Sequence, residues 1–295
     1  MKFSLGMIQA MKVILSRKGF DSAFGGYPSP ILPSGELVSL PIPFDDAIRY
    51  SDLKLSGSTY YDLMVDLKPR IKSNGEWHDL YKETRCHLDP DIHKNSIDRE
   101  SGWKPCFGQD GAAQSHLKNQ GVGENDLFLF FGWFRKTVFN NGKLDFDPQE
   151  KGKHAIFGYL QIDEIKKVDN KFDIPKWLAY HPHVAEERRN VEPDKTKNTI
   201  YIARDKLSWN ESLPGAGRFM FNDKLVLTKR GLSRSKWSLP DCFRKAEISY
   251  HDMGSWKDRY FQSAAIGQEF VIKDNDMVEK WARSLIERSQ IRSSN

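Results

Sequence analysis

Apolar residues in this chain gather in short runs that alternate with stretches dense in glycine, proline, serine and charge. Lys12–Leu15 predicts a short strand. The polar residues Ser16 to Asp21 leave its carboxyl end, succeeded by Gly25-Gly26 and by Pro28, Pro30, Pro33, Pro41 and Pro43. Glycine lets the backbone take positive φ or approach a ligand closely, and proline stiffens the chain beyond it. The loop is therefore either a rigid platform for a site or an ordinary surface connection. Asp126–Val138 reads as a long aromatic strand ended by the turn Asn140-Asn141-Gly142, and His154–Ile165 as a second strand. Asn198–Ala203 and Leu225–Thr228 read as shorter strands, with Pro214–Gly217 as a loop between them. Gly111–Asn119 predicts a short helix, opened by Gly108-Gln109-Asp110 and closed by Gly121, so Gln109 and Asp110 sit at its positive end. A closing helix is expected over 274–291. There Asp276 and Glu279 make a capping box, and Met277, Val278, Trp281, Leu285 and Ile286 share one face.

These elements predict an α+β chain: a mixed β-sheet or partly closed barrel core with flanking helices, in a single compact domain. Residues 1–10 read as an N-terminal extension and 11–295 as the domain. The stretch 64–105, poor in aliphatics and rich in Lys, Asp, Asn and His, is either a substrate-covering insertion or a poorly packed surface excursion. An apolar content of 39% with 29% charged residues fits a soluble globular protein. Cys86, Cys106 and Cys242 are odd in number and scattered, which argues against a disulfide framework and fits a reducing cytoplasm. Gln9 and Lys12 interrupt the mildly apolar start, so neither a signal peptide nor a membrane span is expected, and the location is read as cytoplasmic.

A net charge of +5 is too small to announce nucleic acid, but its distribution says more. No acidic residue lies between Asp223 and Asp241, while Lys224, Lys229, Arg230, Arg234 and Lys236 stand beside Ser233, Ser235 and Trp237. That mixture suits either a phosphate backbone or a solvated surface. No Walker loop, Rossmann fingerprint or zinc-deaminase signature is present. His181-Pro182-His183 puts two imidazoles on one side of an extended segment, yet no Asp, Glu or Cys at a usual metal spacing completes a site. No metal and no cofactor are expected.

A set of longer blocks carries a resemblance. They are Ser16–Ser22 with Gly25-Gly26, Pro28-Ser29-Pro30 and Ser39–Pro43; Gly102-Trp103 with Phe107-Gly108-Gln109 and Gly111–Gln114; Asp126–Arg135; Ala155–Gly158; His181-Pro182-His183; Asn198–Tyr201; and Gln268–Val271. From about Met11 to Val271 the chain resembles the third nucleotide modification associated domain family. Members of that family are understood to include prokaryotic antiphage DNA glycosylases that excise glucosylated hydroxymethylcytosine. The resemblance thus implies an N-glycosidic bond hydrolase whose partner is DNA carrying modified bases. A nucleobase-modifying transferase, for which no donor motif is present, and a non-catalytic reader are the alternatives. The central strands, with Val122-x-x-x-Asp126 and Phe157–Ile162, are also locally similar to the barrels of PUA-like modified-base readers.

Cleaving an N-glycosidic bond needs a carboxylate near C1′, a positioned water and hydrogen bonds to the departing base. Under the implied activity Asp21 is the catalytic carboxylate, with an Asx-turn or a pairing with Arg17 as its structural alternatives and Asp110 and Glu269 next in line. Gln109 is placed at the base and Gln114 beside it, either reading its edge or capping the helix. Trp133 and Phe134 alternate faces of a strand, so at most one faces a pocket. His181, His183 and Gln268 are further base contacts. Arg17, Lys18, Arg135, Lys229, Arg230, Arg234 and Lys236 are candidate phosphate ligands, Arg135 being equally suited to a salt bridge.

Overall fold

The computed structural model describes residues 10–189, 197–265, 267–273 and 275–289. Nine strands form one mixed sheet. Its main path runs Glu269–Ile272, Val13–Arg17, Leu127–Asn140, Lys153–Lys167, Thr199–Ala203 and Cys106–Gln109. Val13–Arg17 lies parallel to Leu127–Asn140 and antiparallel to Glu269–Ile272, and the remaining pairs on this path are antiparallel. The two long strands are apolar enough to be buried on both faces, so Phe128, Phe130 and Phe131 are all fully enclosed. With four helices among the described residues, the chain is α+β and forms one domain.

The sheet curls. Register shifts at Phe130/Phe131 and Ile162/Glu164 bend the long strands. The curl brings Phe107 of one edge strand onto the rings of Phe128 and Phe130, at 5.0 and 5.4 Å. The two edges do not pair by backbone, so no barrel closes; they are joined by side chains. Glu269 on one edge accepts from Gln109 Nε2 on the other at 2.7 Å and from Lys18 Nζ at 2.9 Å. Glu269 is 1% exposed, so its charge lies inside the fold, and the Lys18 ammonium also sits 4.2 Å from the Phe107 ring.

A second apolar cluster gathers Phe20, Tyr27, Leu40, Tyr50, Leu53, Met64, Ile71, Cys86 and Leu88. It is built largely from residues 20–97, around the helix Tyr60–Leu67, whose start is fixed by a reciprocal Thr59–Asp62 capping box. Several members lie in the aliphatic-poor stretch after Met64, Ile71 and Cys86 of them in short strands.

The helix Gly111–Asn119 and the strand Thr199–Ala203 form as the pattern predicts, and the two long strands extend two residues beyond their predicted ends. Three details differ. Leu225–Thr228 makes only isolated bridges, because a 3-10 turn over Asp223–Leu225 occupies its start. Pro214–Gly217 is not a loop: Pro214 ends one strand, and Ala216–Arg218 pairs with Gly158–Leu160. The closing helix, Asp276–Ser289, is capped by Asn275, whose Oδ1 accepts from the amides of Met277 and Val278 at 3.1 and 3.0 Å. Glu279 instead accepts from Met11 N and pairs with Arg283, and Met277 is exposed. Residues 1–9 of the expected extension and 274, 290 and 291 of the expected helix lie outside the described residues.

This packing can be tested at two buried groups. Removing one partner of a buried ion pair strands the other charge, at about 3–5 kcal/mol. Lys18→Met should therefore lower stability by about 3 kcal/mol, and adding Glu269→Gln should restore much of it. A double variant no more stable than the single one in urea denaturation would contradict this. The second group is His154, buried beneath Trp237, whose indole N–H donates to His154 Nδ1 at 3.1 Å. Burial, aided by Arg17 and Arg234, pushes its pKa down to about 3. The unfolded chain therefore binds the extra proton below pH ~6.5, and stability falls with falling pH by up to about 1.4 kcal/mol per pH unit from this group. Urea midpoints measured between neutrality and pH ~4.5 should decline less steeply in His154→Gln, which keeps an acceptor for the indole.

Candidate functional site

At the carboxyl end of Val13–Arg17 the chain turns away from the sheet through the glycine- and proline-rich loop. Gly25 has φ of +81° and stacks so closely on Phe20 that a Cβ would lie 2.0 Å from the ring, so only glycine fits. Asp21 Oδ1 accepts from the amides of Ala23 and Phe24 at 2.7 and 2.8 Å, which makes one of its oxygens the pin of an Asx-turn. Arg17 donates to the carbonyls of Ala264 and Ala265 and lies over the Phe270 ring. Burial lowers its pKa, with Asp21 and Glu269 opposing that shift and Arg234 adding to it.

This loop forms one wall of an open cavity of about 430 Å³. Gln109 and Asp110, where the strand Cys106–Gln109 meets the helix Gly111–Asn119, form the second wall, and Gly267 and Gln268 before the strand Glu269–Ile272 the third. The fourth comes from the second cluster: Phe44 on the strand Pro43–Arg49, with His87 and Asp89 just after Arg85–Cys86. His183 fills the floor. The volume lies within the roughly 300–1,000 Å³ usual for ligand sites. Phe44 is 47% exposed, and the Arg188 guanidinium lies 5.2 Å from its ring while pairing with Asp110 at 2.8 Å.

Seven of the residues singled out from sequence line this cavity together: Arg17, Lys18, Asp21, Gln109, Asp110, His183 and Gln268. Several are already engaged. Lys18 and Gln109 both hold Glu269, and Gln109 Oε1 also accepts from Asp110 N. The other predicted residues lie elsewhere. Gln114 is buried, accepting from Tyr201 OH. Phe134 is wholly core, and Trp133 lies 4.1 Å beneath the Arg234 guanidinium, so neither ring faces the cavity. Arg135 donates to the Asp147 carbonyl, toward the far part of its strand. In the basic run, Arg234 reaches Ser22 beside Asp21, Lys229 bonds the Arg259 carbonyl, Lys236 lies over the Tyr260 ring, and Arg230 is exposed. Arg234 thus borders the Asp21 loop, and none of these four residues lines the cavity.

No carboxylate at a usual metal spacing in the sequence accompanies His181-Pro182-His183, but the fold brings one in from a remote segment. His87, Asp89 and His183 bring one ligand atom each within 4.8 Å of one another. His181 is buried behind them, its Nε2 3.4 Å from Asp89 Oδ1 and its Nδ1 accepting from His183 N. Burial opposes the charge of Asp89, yet the surrounding imidazoles, His181 foremost and 3.4 Å away, outweigh it and hold its pKa at about 2. Burial drives the pKa of His183 well below the ordinary value, so the ring is neutral near pH 7. The sequence pattern does not single out His87 and Asp89, because they stand in the stretch that reads as an insertion or surface excursion. A His-x-Asp pair among apolar neighbours, Cys86 and Leu88, is the one signal that could have found them.

No helix among the described residues is long and apolar enough to cross a membrane. No curated protein and no solved structure matches the chain. The family model described as nucleotide modification associated domain 3 matches residues 12–273, which takes in every strand of the sheet and every wall of the cavity. The resemblance drawn from the sequence blocks is thereby borne out, and the chain belongs to the nucleotide modification associated domain 3 family.

Proposed function

We propose that the chain is a DNA glycosylase that takes a bulky modified cytosine, of the glucosylated hydroxymethyl class, out of the stack and excises it from phage DNA as a defence, leaving an abasic site. The observation that carries this reading is the convergence, in one open cavity, of carboxylate, amide, guanidinium and an exposed aromatic ring. Phe44 offers a stacking face for a flipped base. Asp21, with one oxygen fixed by the turn, is the carboxylate suited to a developing oxocarbenium ion, and Arg17 and Gln268 supply donors beside it. Arg234, which reaches Ser22 beside Asp21, and the exposed Arg230 are the cations we assign to the flanking phosphates.

The decisive assay incubates the protein with unmodified, hydroxymethylated and glucosylated DNA, then scores free base and alkali-sensitive sites. Release from the glucosylated substrate alone is the expected result. Binding without abasic product would make the protein a reader. Asp21→Asn keeps the turn's acceptor and removes only the charge, so it should cut cleavage by about a hundredfold or more with DNA affinity nearly unchanged. Near-normal turnover would move the role to another carboxylate. Replacing Arg230 and Arg234 together with Gln should weaken binding to every DNA sequence and reduce the salt slope by about one for each phosphate no longer neutralised. An unchanged slope would leave the run as a solvated surface.

A further inference from the structure

We propose that His87, Asp89 and His183 bind a divalent transition-metal ion, of which zinc is the test case, with its open coordination positions facing the cavity. The inference does not rest on the glycosylase reading, since it concerns ion binding itself. Two imidazoles and one carboxylate are a common donor set for zinc, iron(II) or manganese(II). Ligand atoms on a tetrahedral zinc sit about 3.4 Å apart, so three atoms already within 4.8 Å need close by no more than about 1.4 Å.

The outer partners make the argument specific. Asn198 Nδ2 donates to the His183 carbonyl at 2.7 Å, which fixes the amide so that its oxygen faces His183 Nδ1 at 2.6 Å. Nδ1 therefore carries the proton, and the Nε2 lone pair is left for an ion. His87 Nδ1 lies 2.7 Å from Asp46 Oδ2, which fixes the same tautomer. Asp89 Oδ1 accepts from Gly108 N at 2.7 Å and faces His181 Nε2, orienting the carboxylate. Each of the three ligands is thus held by an outer group, the arrangement by which proteins orient metal ligands. The close approach of His183 explains Gly108, where a Cβ would lie 2.2 Å from the imidazole. All three residues line the cavity, so water or a substrate oxygen can complete the coordination.

The test uses untagged full-length protein, stripped with chelator and exchanged into chelator-free buffer. Zinc titration by calorimetry should show about one ion per chain, and cobalt(II) should produce visible d–d absorption of a nitrogen- and oxygen-ligated site. His87→Gln and Asp89→Asn should each weaken zinc by more than about a hundredfold, and Asp46→Asn, which removes only an outer partner, by about 10–100-fold at unchanged stoichiometry. Circular dichroism melting of all three variants checks that the fold survives. The proposal is overturned by absence of the cobalt band, or by zinc affinities of folded His87→Gln and Asp89→Asn within about threefold of the parent.

Discussion

A buried carboxylate shared between three strand ends holds this fold in its curled shape. Glu269 takes an ammonium from the end of Val13–Arg17 and an amide from the end of Cys106–Gln109, strands that lie far apart along the sheet. An uncompensated charge at 1% exposure would be costly, so the pairing and the curl require each other. Its second oxygen, Oε2, is buried without a hydrogen-bond partner, so the junction is tight but not saturated. Because the three strand ends meet there, the loops that leave them converge as well, and the cavity opens where they do.

The main elements are legible in the sequence because their patterns are strong. The aromatic run within Asp126–Val138, ended by a turn signal, reads as a strand, and Gly108-Gln109-Asp110 marks the start of Gly111–Asn119. The edge strands Cys106–Gln109 and Glu269–Ile272 carry too short a pattern to be anticipated, and the other departures are local. Gly215 reads as loop-forming, whereas it serves close packing, its missing Cβ leaving room for the Arg204 carbonyl 2.0 Å from where that carbon would stand. The cap of the last helix falls one residue earlier than the pattern suggests, since Asn275 and Asp276 are both competent caps and only geometry separates them.

The cavity is half legible. Arg17, Lys18, Asp21 and Gln109 share a loop or a helix start with recognisable turn chemistry, so their proximity to a site can be inferred from local signals. Trp133 and Phe134 cannot be assigned this way, because alternation on a strand buried on both faces no longer separates pocket from core. His87, Asp89 and His183 come from two remote segments brought together by the second cluster and the Cys106–Gln109 strand, and no spacing rule within one segment anticipates that meeting.

The cavity's walls have different foundations. Arg17, Gln109 and Gln268 stand on the ends of the main sheet, whereas Phe44, His87 and Asp89 stand on the second cluster, backed by Tyr50, Cys86 and Leu88. The two halves can therefore diverge at different rates. Substitutions around Phe44 and His87 alter the shape and chemistry of one side of the cavity without touching the junction at Glu269, so that side can be recast while the scaffold stays fixed.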